Sequence, residues 1–325
     1  MTHADQGGDA ETFDTLRPYL FSIAYRMLGT VSDAEDIVQE AYVRYEGARR
    51  AGTTVESLRA YLAAVVTRLA IDLQRSARVR RESYVGEWLP EPLLTGDDAG
   101  AGTIADDPAA HAEQADSLSM AFLLVLDTLN PVERAVFLLH DVFGYGYDRV
   151  AEIVGRTEAN CRQIAVRARR RVEAERTHLD AGRRASREVA DRFVAALLAG
   201  DVARLEGMLA ADVVLLGDGG GKAPQWSTPI VGAGRVARLL GNVGRQLAGF
   251  EVRPQELNGQ PGALVLDPDG RLVNVFVFDI VDGAVQTVRS VINPDKLRHI
   301  GPPVADAWAL LRARRTDRTA PPPTE

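Results

Sequence analysis

The sequence predicts a multidomain protein in which two all-α helical modules precede a C-terminal α+β domain. Three observations lead to this prediction. Apolar residues recur at intervals of three and four through residues 13–81 and again through 118–172, which is typical of amphipathic helices. A stretch rich in Pro, Gly and Asp separates these two runs. After residue 185 the pattern changes, and short helices give way to strand-like segments.

The first module is predicted to contain three helices. The first carries an apolar stripe that starts at Phe13, and Gly29 ends it. The second is predicted to begin at Ser32, with Glu35 completing a capping box. A third long helix runs over residues 57–81, and its arginines are concentrated toward the C-terminal end.

Charge is strongly segregated along the chain, although the net charge is only −7. Residues 44–81 contain nine arginines against three carboxylates, whereas residues 82–133 contain neither Arg nor Lys. Basic charge returns over residues 134–187. Two basic regions joined by an acidic connector indicate two contacts with a polyanion. Chance clustering in an arginine-rich chain is the alternative.

The second module ends in a helix–turn–helix pattern. Asn130 and Glu133 form a capping box at the start of one helix. A short helix then ends at Gly155, and Thr157 caps an arginine-rich helix. A helix, a glycine-containing turn and a basic helix are typical of DNA-binding proteins. Cys161 lies on the apolar face of the last helix, where we interpret it as a small buried side chain rather than a redox sensor.

The C-terminal part is predicted to be α+β, with an antiparallel sheet. The turn DPDG (267–270) is typical of a β-hairpin. Helices are predicted at 186–199, 202–210 and 233–247, and strands at 213–217, 228–232, 250–257, 262–267, 271–280 and 284–292. The tail after residue 301 is expected to be mostly disordered.

Several classes of protein are not expected. The N-terminus has neither a basic nor an apolar region, so it does not resemble a signal peptide. The longest apolar run, residues 120–126, is too short to span a bilayer, so we expect no membrane partner. A single cysteine excludes an internal disulfide and favours a cytoplasmic location.

Several motifs in this chain resemble those of a known family. Residues 13–45, which contain DAEDIVQEA, resemble region 2 of extracytoplasmic-function sigma factors, and residues 129–172 resemble region 4. The C-terminal domain resembles the SnoaL-like α+β cone that is fused to one subgroup of these factors. That subgroup carries three motifs that stand here as WLPEP (88–92), DGGGK (218–222) and NPDKL (293–297).

The resemblance implies the domain organisation of the chain. The expected domains are region 2 (10–84), an acidic linker (85–117), region 4 (118–180), the cone (185–300) and a tail (301–325). It implies transcription initiation as the function, with the fused cone as an intramolecular regulator that replaces a separate anti-sigma factor. No catalytic residue, metal or cofactor is expected, and the protein is expected to be a monomer.

The resemblance also implies contacts for the first module. The acidic face of the second helix would dock on the clamp helices of the largest subunit of core RNA polymerase, although an ordinary solvated face is the alternative. The third helix would bind the −10 element as double-stranded promoter DNA opens to single strands. The expected core-binding residues are Asp33, Asp36, Gln39 and Glu40, and the expected −10 residues are Arg59, Tyr61, Arg68, Arg75, Arg78, Arg80 and Arg81.

For the second module, the resemblance implies that the arginine-rich helix binds the −35 element in the major groove. Residues near the N-terminus of such a helix contact bases, and later arginines contact phosphates. We therefore expect Arg162 and Gln163 to read bases. The full set of candidates is Glu158, Asn160, Arg162, Gln163, Arg167, Arg169 and Arg170.

The DGGGK motif invites comparison with a phosphate-binding loop. Such a loop leads into a helix, whereas Pro224 and Pro229 follow here and GxxxxGK[ST] is absent, so nucleotide binding is not expected. The chain has 38 basic residues, of which only Lys222 and Lys296 are lysines, and both lie in family motifs. A compact ammonium is therefore expected to be needed at both sites.

We predict that the three motifs meet at one regulatory interdomain contact, which holds the two DNA-binding modules in a fixed relation. The residues of this contact are Trp88, Leu89, Pro90, Asp218, Gly219, Gly220, Gly221, Lys222, Asn293, Pro294, Asp295, Lys296 and Leu297. Three alternatives stay open: an enzymatic cone, a cone whose cavity binds a small-molecule ligand, and an ordinary helix–turn–helix regulator.

Overall fold

The structure is a computed structural model that describes residues 4–82, 84–96, 118–175 and 183–304, together with 306, 307 and 309. The chain forms two compact units. Unit 1 contains residues 1–82 and 99–177, and unit 2 contains residues 83–98 and 178–325. The segment that follows the first module therefore belongs to the same unit as the C-terminal domain.

Unit 1 is entirely helical in its described part. Its elements are α1 (Ala4–Leu28), α2 (Val31–Arg50), α3 (Leu58–Glu82), α4 (Met120–Asp127), α5 (Pro131–Phe137), a π-helical turn (Leu138–Val142), α6 (Tyr147–Val154) and α7 (Glu158–Glu175). Helices α1 to α3 form the first module, and the remaining elements form the second.

The predicted capping box of Ser32 and Glu35 at the start of α2 is wrong. The helix begins at Val31 with Thr30 as its N-cap, so Ser32 lies inside the first turn. The Thr30 hydroxyl donates to the carboxylate of Asp33 at 2.7 Å and does not cap a backbone N–H. Since Thr30 and Ser32 both favour an N-cap position, the sequence does not distinguish between them.

The predicted boundaries of the helix–turn–helix pattern are confirmed. Asn130 and Glu133 form a reciprocal capping box at the start of α5. Gly155 adopts a left-handed conformation (φ 67°) and ends α6, as glycine does at helix C-termini. The Thr157 hydroxyl accepts the N–H of Asn160 at 3.3 Å. Cys161 is fully buried, and burial raises the pKa of its thiol, which fits a packing role.

A buried arginine ties the two modules of unit 1 together. Arg134 on α5 is 2 % exposed and donates to the carbonyl of Met27, at the end of α1, at 2.6 Å. It also donates to the Leu126 carbonyl at 2.8 Å and pairs with Asp127 at 2.7 Å. A buried guanidinium is stable because these partners satisfy its charge and its donors.

Unit 2 is an α+β domain, as the sequence predicts. Its helices are α8 (Arg183–Ala199), α9 (Val202–Glu206) and α10 (Ala233–Gln246), and a 3₁₀ turn spans Pro294–Lys296. Its strands are β1 (Leu94–Thr95), β2 (Leu209–Asp218), β3 (Ile230–Val231), β4 (Glu251–Leu257), β5 (Gln260–Leu266), β6 (Leu272–Val281) and β7 (Ala284–Val291). We call residues 183–304 the cone.

The sheet has the order β1-β4-β5-β6-β7-β2-β3. Every pair is antiparallel except β2 with β7. Strand β2 begins at Leu209, so the helix predicted over 202–210 ends early, at Glu206. The segment 84–96 supplies the edge strand β1, which pairs with β4 through Leu94 and Leu257.

The core of the cone lies between the sheet and helices α8 and α10. Phe193 on α8 packs edge-to-face on Phe278 of β6, with ring centroids 5.3 Å apart. The two helices approach so closely that a Cβ at Gly244 would lie 1.6 Å from the Leu197 carbonyl oxygen. Glycine at this position lets the helices bury their apolar faces against each other.

We expect Gly244→Ala to destabilise unit 2 by about 1–3 kcal/mol, because the new methyl group overlaps backbone that cannot rotate away. Denaturant unfolding followed by tryptophan fluorescence measures this, since all three tryptophans fall in unit 2. Gly301→Ala is the control within unit 2, because a Cβ there meets nothing within 4 Å. An unchanged fluorescence midpoint for Gly244→Ala would contradict the close helix crossing.

Candidate functional site

Three segments of unit 2 converge on the carboxylate of Asp218, at the end of β2. Asp218 is fully buried. It accepts hydrogen bonds from the Leu89 N–H at 2.8 Å, the Tyr84 hydroxyl at 2.5 Å and the Lys296 ammonium at 2.6 Å. WLPEP, DGGGK and NPDKL thus contact one another. We call this arrangement, formed by residues 84–93, 218–222 and 293–299, the linker clamp.

The ammonium of Lys296 occupies a cage of aromatic rings and oxygens. Its Nζ lies 4.4 Å from the ring centroid of Trp88 and 5.0 Å from that of Tyr84. It also donates to the carbonyl of Leu89, and its side chain is only 6 % exposed. Aromatic faces and a carboxylate together stabilise a desolvated cation. A compact ammonium suits this enclosure, whereas a guanidinium is planar and wider.

Tyr84, two residues beyond the end of α3, is part of the linker clamp. Burial, followed by the neighbouring Asp218 carboxylate, raises the pKa of Tyr84, so its hydroxyl stays protonated and donates to Asp218. The side-chain amide of Asn293 donates to the same hydroxyl at 2.9 Å. Tyr84 precedes WLPEP by four residues, and the sequence offered no periodic signal for its role.

The glycines of DGGGK permit a close approach between the loop and its neighbours. A Cβ at Gly220 would lie 2.3 Å from the amide nitrogen of Asn293 and 2.9 Å from the Tyr84 hydroxyl. Gly220 and Gly221 also have positive φ values of 57° and 71°, which glycine adopts most readily. A Cβ at Gly219 would lie 2.4 Å from the Ala223 carbonyl. The loop therefore packs against protein atoms of the clamp.

The two lysines differ in environment, although the sequence predicted that both sites need a compact ammonium. Lys222 pairs with Asp295, which joins DGGGK to NPDKL. That pair is exposed, with 56 % of the Lys222 side chain and 38 % of the Asp295 side chain accessible. Water screens such a pair, whereas it hardly reaches Lys296.

Further contacts extend the clamp along the linker. His299 Nε2 lies 2.6 Å from the Pro92 carbonyl, so this histidine contacts the linker. The Leu93 N–H donates to the side chain of Asn258 at 2.8 Å, and the Asn258 N–H donates to the Leu93 carbonyl at 2.8 Å. The apolar residues Leu89, Pro90 and Leu297 are buried. Residues 97–117 of the predicted linker lie outside the described residues.

The acidic face of α2 is a surface of unit 1. Asp36, Gln39 and Glu40 are exposed, and Asp33 is half-buried. Glu40 pairs with Arg44 at 2.8 Å, and about half of each side chain is exposed. The opposite face of the helix packs in the core through Ala34, Ile37, Val38 and Ala41.

The described −10 candidates on α3 have internal partners. The Arg59 guanidinium lies 4.0 Å from the ring centroid of Tyr19, and Arg75 pairs with Asp72 at 3.2 Å. Arg68 donates to the carbonyls of Glu152 and Ile153, at the end of α6, both at 3.0 Å. Tyr61 is half-buried, with its ring centroid 6.1 Å from that of Tyr45. The side chains of Arg78, Arg80 and Arg81 lie outside the described residues.

Helix α7 presents most of its −35 candidates on the exposed side. Glu158 and Arg162 form an exposed ion pair at 2.7 Å. Arg169 is oriented differently: its Nε donates to Asp141 at 2.9 Å, and this hydrogen bond raises the pKa of Arg169. The remaining candidates, Asn160, Gln163, Arg167 and Arg170, are exposed.

The described residues contain neither a candidate metal site nor a candidate membrane span. No cluster of three or more His, Cys, Asp or Glu side chains there is placed to hold a metal ion. Within the same part of the chain, no helix combines the length and apolar character needed to cross a bilayer.

Comparison with known proteins agrees with both modules of unit 1. Residues 12–80 match Sigma-70 region 2, and residues 119–172 match Sigma-70, region 4. The ECF RNA polymerase sigma factor SigJ of Mycobacterium tuberculosis is 39% identical over 298 residues, which cover 89% of this chain and 93% of the relative. The probable ECF RNA polymerase sigma factor SigI of the same species is 31% identical over 281 residues, covering 86% and 92%.

The similarity extends to a solved structure. The crystal structure of the M. tuberculosis extracytoplasmic function sigma factor SigJ aligns with a TM-score of 0.68 at 35% identity, and the alignment covers 89% of this chain and 98% of that one. The alignment thus includes the cone as well as the helical modules. Both helical regions match sigma-70 regions, and a relative is similar over nearly its whole length. The chain therefore belongs to the extracytoplasmic-function (ECF) RNA polymerase sigma factors.

Proposed function

We propose that this sigma factor docks on core RNA polymerase through the acidic face of α2. Asp36 and Glu40 lie one helical turn apart on an exposed surface, and the buried face of α2 fixes their direction. Acidic side chains held on a rigid helix suit a basic partner surface, because the electrostatic attraction between the two surfaces orients the proteins before they make contact. The partner surface in this proposal is the pair of clamp helices in the largest subunit.

Promoter recognition is assigned to α3 and α7 in this proposal. Helix α3 contacts the −10 element, and Arg68 exchanges two backbone carbonyls for phosphate oxygens when DNA binds. Helix α7 enters the major groove at the −35 element, with Gln163 at base edges and Arg170 at phosphates. A charged guanidinium bonds a phosphate more strongly than a neutral carbonyl, so the exchange favours the DNA-bound state.

The cone acts as an intramolecular regulator by holding the linker. The observation that carries this proposal is the buried Lys296–Asp218 pair, which fastens Leu89 through both its N–H and its carbonyl. Residues 84–93 belong to the stretch of chain that joins region 2 to region 4. A domain that fixes this stretch limits the positions that the two DNA-binding regions can reach.

Regulation is favoured over catalysis by the polar cluster on the helix-covered side of the cone's sheet. On the helix-covered side of the sheet, the Gln225 amide donates to the Ser290 hydroxyl at 2.9 Å, and the Asn274 amide donates to the same hydroxyl at 3.0 Å. This cluster consists of amides and a hydroxyl that satisfy one another, and such groups do not exchange protons near neutral pH. A small-molecule ligand bound in the cone is a second candidate regulator. We also propose that the protein is a cytoplasmic monomer.

The clamp predicts different effects for the two lysines. Lys296→Met should destabilise unit 2 by about 3 kcal/mol, because it leaves the Asp218 carboxylate buried without its cation. Lys222→Met should cost less than about 1 kcal/mol, because its ion pair is exposed. Denaturant unfolding followed by tryptophan fluorescence measures both variants.

Two results would contradict this account of the clamp. One is equal destabilisation by Lys222→Met and Lys296→Met. The other is a Lys296→Met/Asp218→Asn double variant whose loss of unfolding free energy exceeds the sum of the losses in the two single variants. The clamp predicts a smaller loss, because removing both charges should recover part of the stability. Circular dichroism of the helical signal checks that unit 1 stays folded.

Transcription tests the regulatory proposal directly. Run-off assays with core polymerase on a promoter library compare the full-length protein, a variant ending at Gly182 and Lys296→Met. We expect promoter-specific products, with a yield that changes in the same direction in both variants, because each releases the linker from the clamp. Identical yields from all three proteins would refute a regulatory cone, and the absence of products from any of them would refute promoter recognition.

A further inference from the structure

Helix α7 carries a valine on the stripe that faces away from the core. At about 100° per residue, four side chains fall within about 60° of one another on the side opposite to the buried Cys161. These side chains are Ala159, Gln163, Val166 and Arg170. All four are exposed.

Val166 is conspicuous for both its exposure and its position. It is 44 % exposed, and the large hydrophobic side chains that share such exposure among the described residues are few: Val43, Val85, Leu198 and Val231. A single exposed apolar side chain is ordinary on a protein surface, so exposure alone assigns nothing. Val166, however, is the ninth residue of α7 and lies one turn beyond Gln163, within the part of a recognition helix that reaches base edges.

The major groove offers one apolar group at base edges, which is the C5-methyl of thymine. Polar side chains on the same stripe can hydrogen-bond to other bases or to phosphates, whereas valine can contact only this methyl favourably. We infer that Val166 reads a thymine in the −35 element, beside the base pair contacted by Gln163. This inference rests on the proposed placement of α7 in the major groove.

The contact can be tested one methyl group at a time. Replacing each thymine of the −35 element in turn by deoxyuridine removes only the C5-methyl. Binding of the holoenzyme, formed from core polymerase and the full-length protein, is measured on each DNA at fixed salt. We expect one substitution to weaken binding about fourfold, as the loss of one buried methyl group predicts.

Val166→Ala should bind the unmodified promoter about as weakly as the wild type binds the sensitive deoxyuridine DNA, and it should lose its response to that substitution. Val231→Ala, which truncates an exposed valine of the cone, should keep the wild-type response. Arg170→Ala should weaken binding to all of these DNAs equally, as expected for a phosphate contact, and should also keep the response.

The inference is overturned if Val166→Ala stays as sensitive to deoxyuridine as the wild type at every position. It is also overturned if no deoxyuridine substitution affects the wild type. A scrambled −35 element separates these results from a failure of the proposed function. If scrambling leaves binding unchanged, α7 does not read the −35 element, and the proposed function falls together with the inference.

Discussion

The buried ion pair between Lys296 and Asp218 is the interaction on which the arrangement of the linker clamp depends. A carboxylate and an ammonium withdrawn from water are stable only when every partner is in place. Asp218 therefore holds two segments against the end of β2: its side chain holds Leu89 and Lys296, and its backbone carbonyl accepts the N–H groups of Ile292 and Asn293 at 2.9 and 3.1 Å. The glycines of the neighbouring loop allow these segments to come close enough.

This geometry links stability to function. Because the linker is part of the clamp, a partner that requires a released linker must supply the free energy that the clamp contributes, and each 1.4 kcal/mol lowers its apparent affinity about tenfold. In unit 1, Arg68 is held in a similar way, because its guanidinium already donates to two backbone carbonyls at the end of α6. In both units, groups that would serve transcription are held in internal contacts in the free protein.

The sequence predicted elements well where the signal was local. Periodicity identified the helices of unit 1, and Asn130 and Gly155 marked helix ends correctly because capping depends on neighbouring residues. Contacts between distant residues were harder to predict. The three motifs indicated one meeting point, but nothing local distinguished the buried Lys296 from the exposed Lys222 or revealed Tyr84. Burial there depends on residues as distant in the sequence as Leu89 and Lys296, which are 207 positions apart.

Hydrogen exchange at the Leu89 amide in the full-length protein tests the central claim most directly, because this N–H donates to the buried carboxylate of Asp218. The account predicts that Leu89 exchanges as slowly as the core strand β6 and that Lys296→Met removes its protection while β6 stays protected. The account would be contradicted if Leu89 exchanged at the rate of an unstructured peptide while β6 remained protected, because the cone would then not hold the linker.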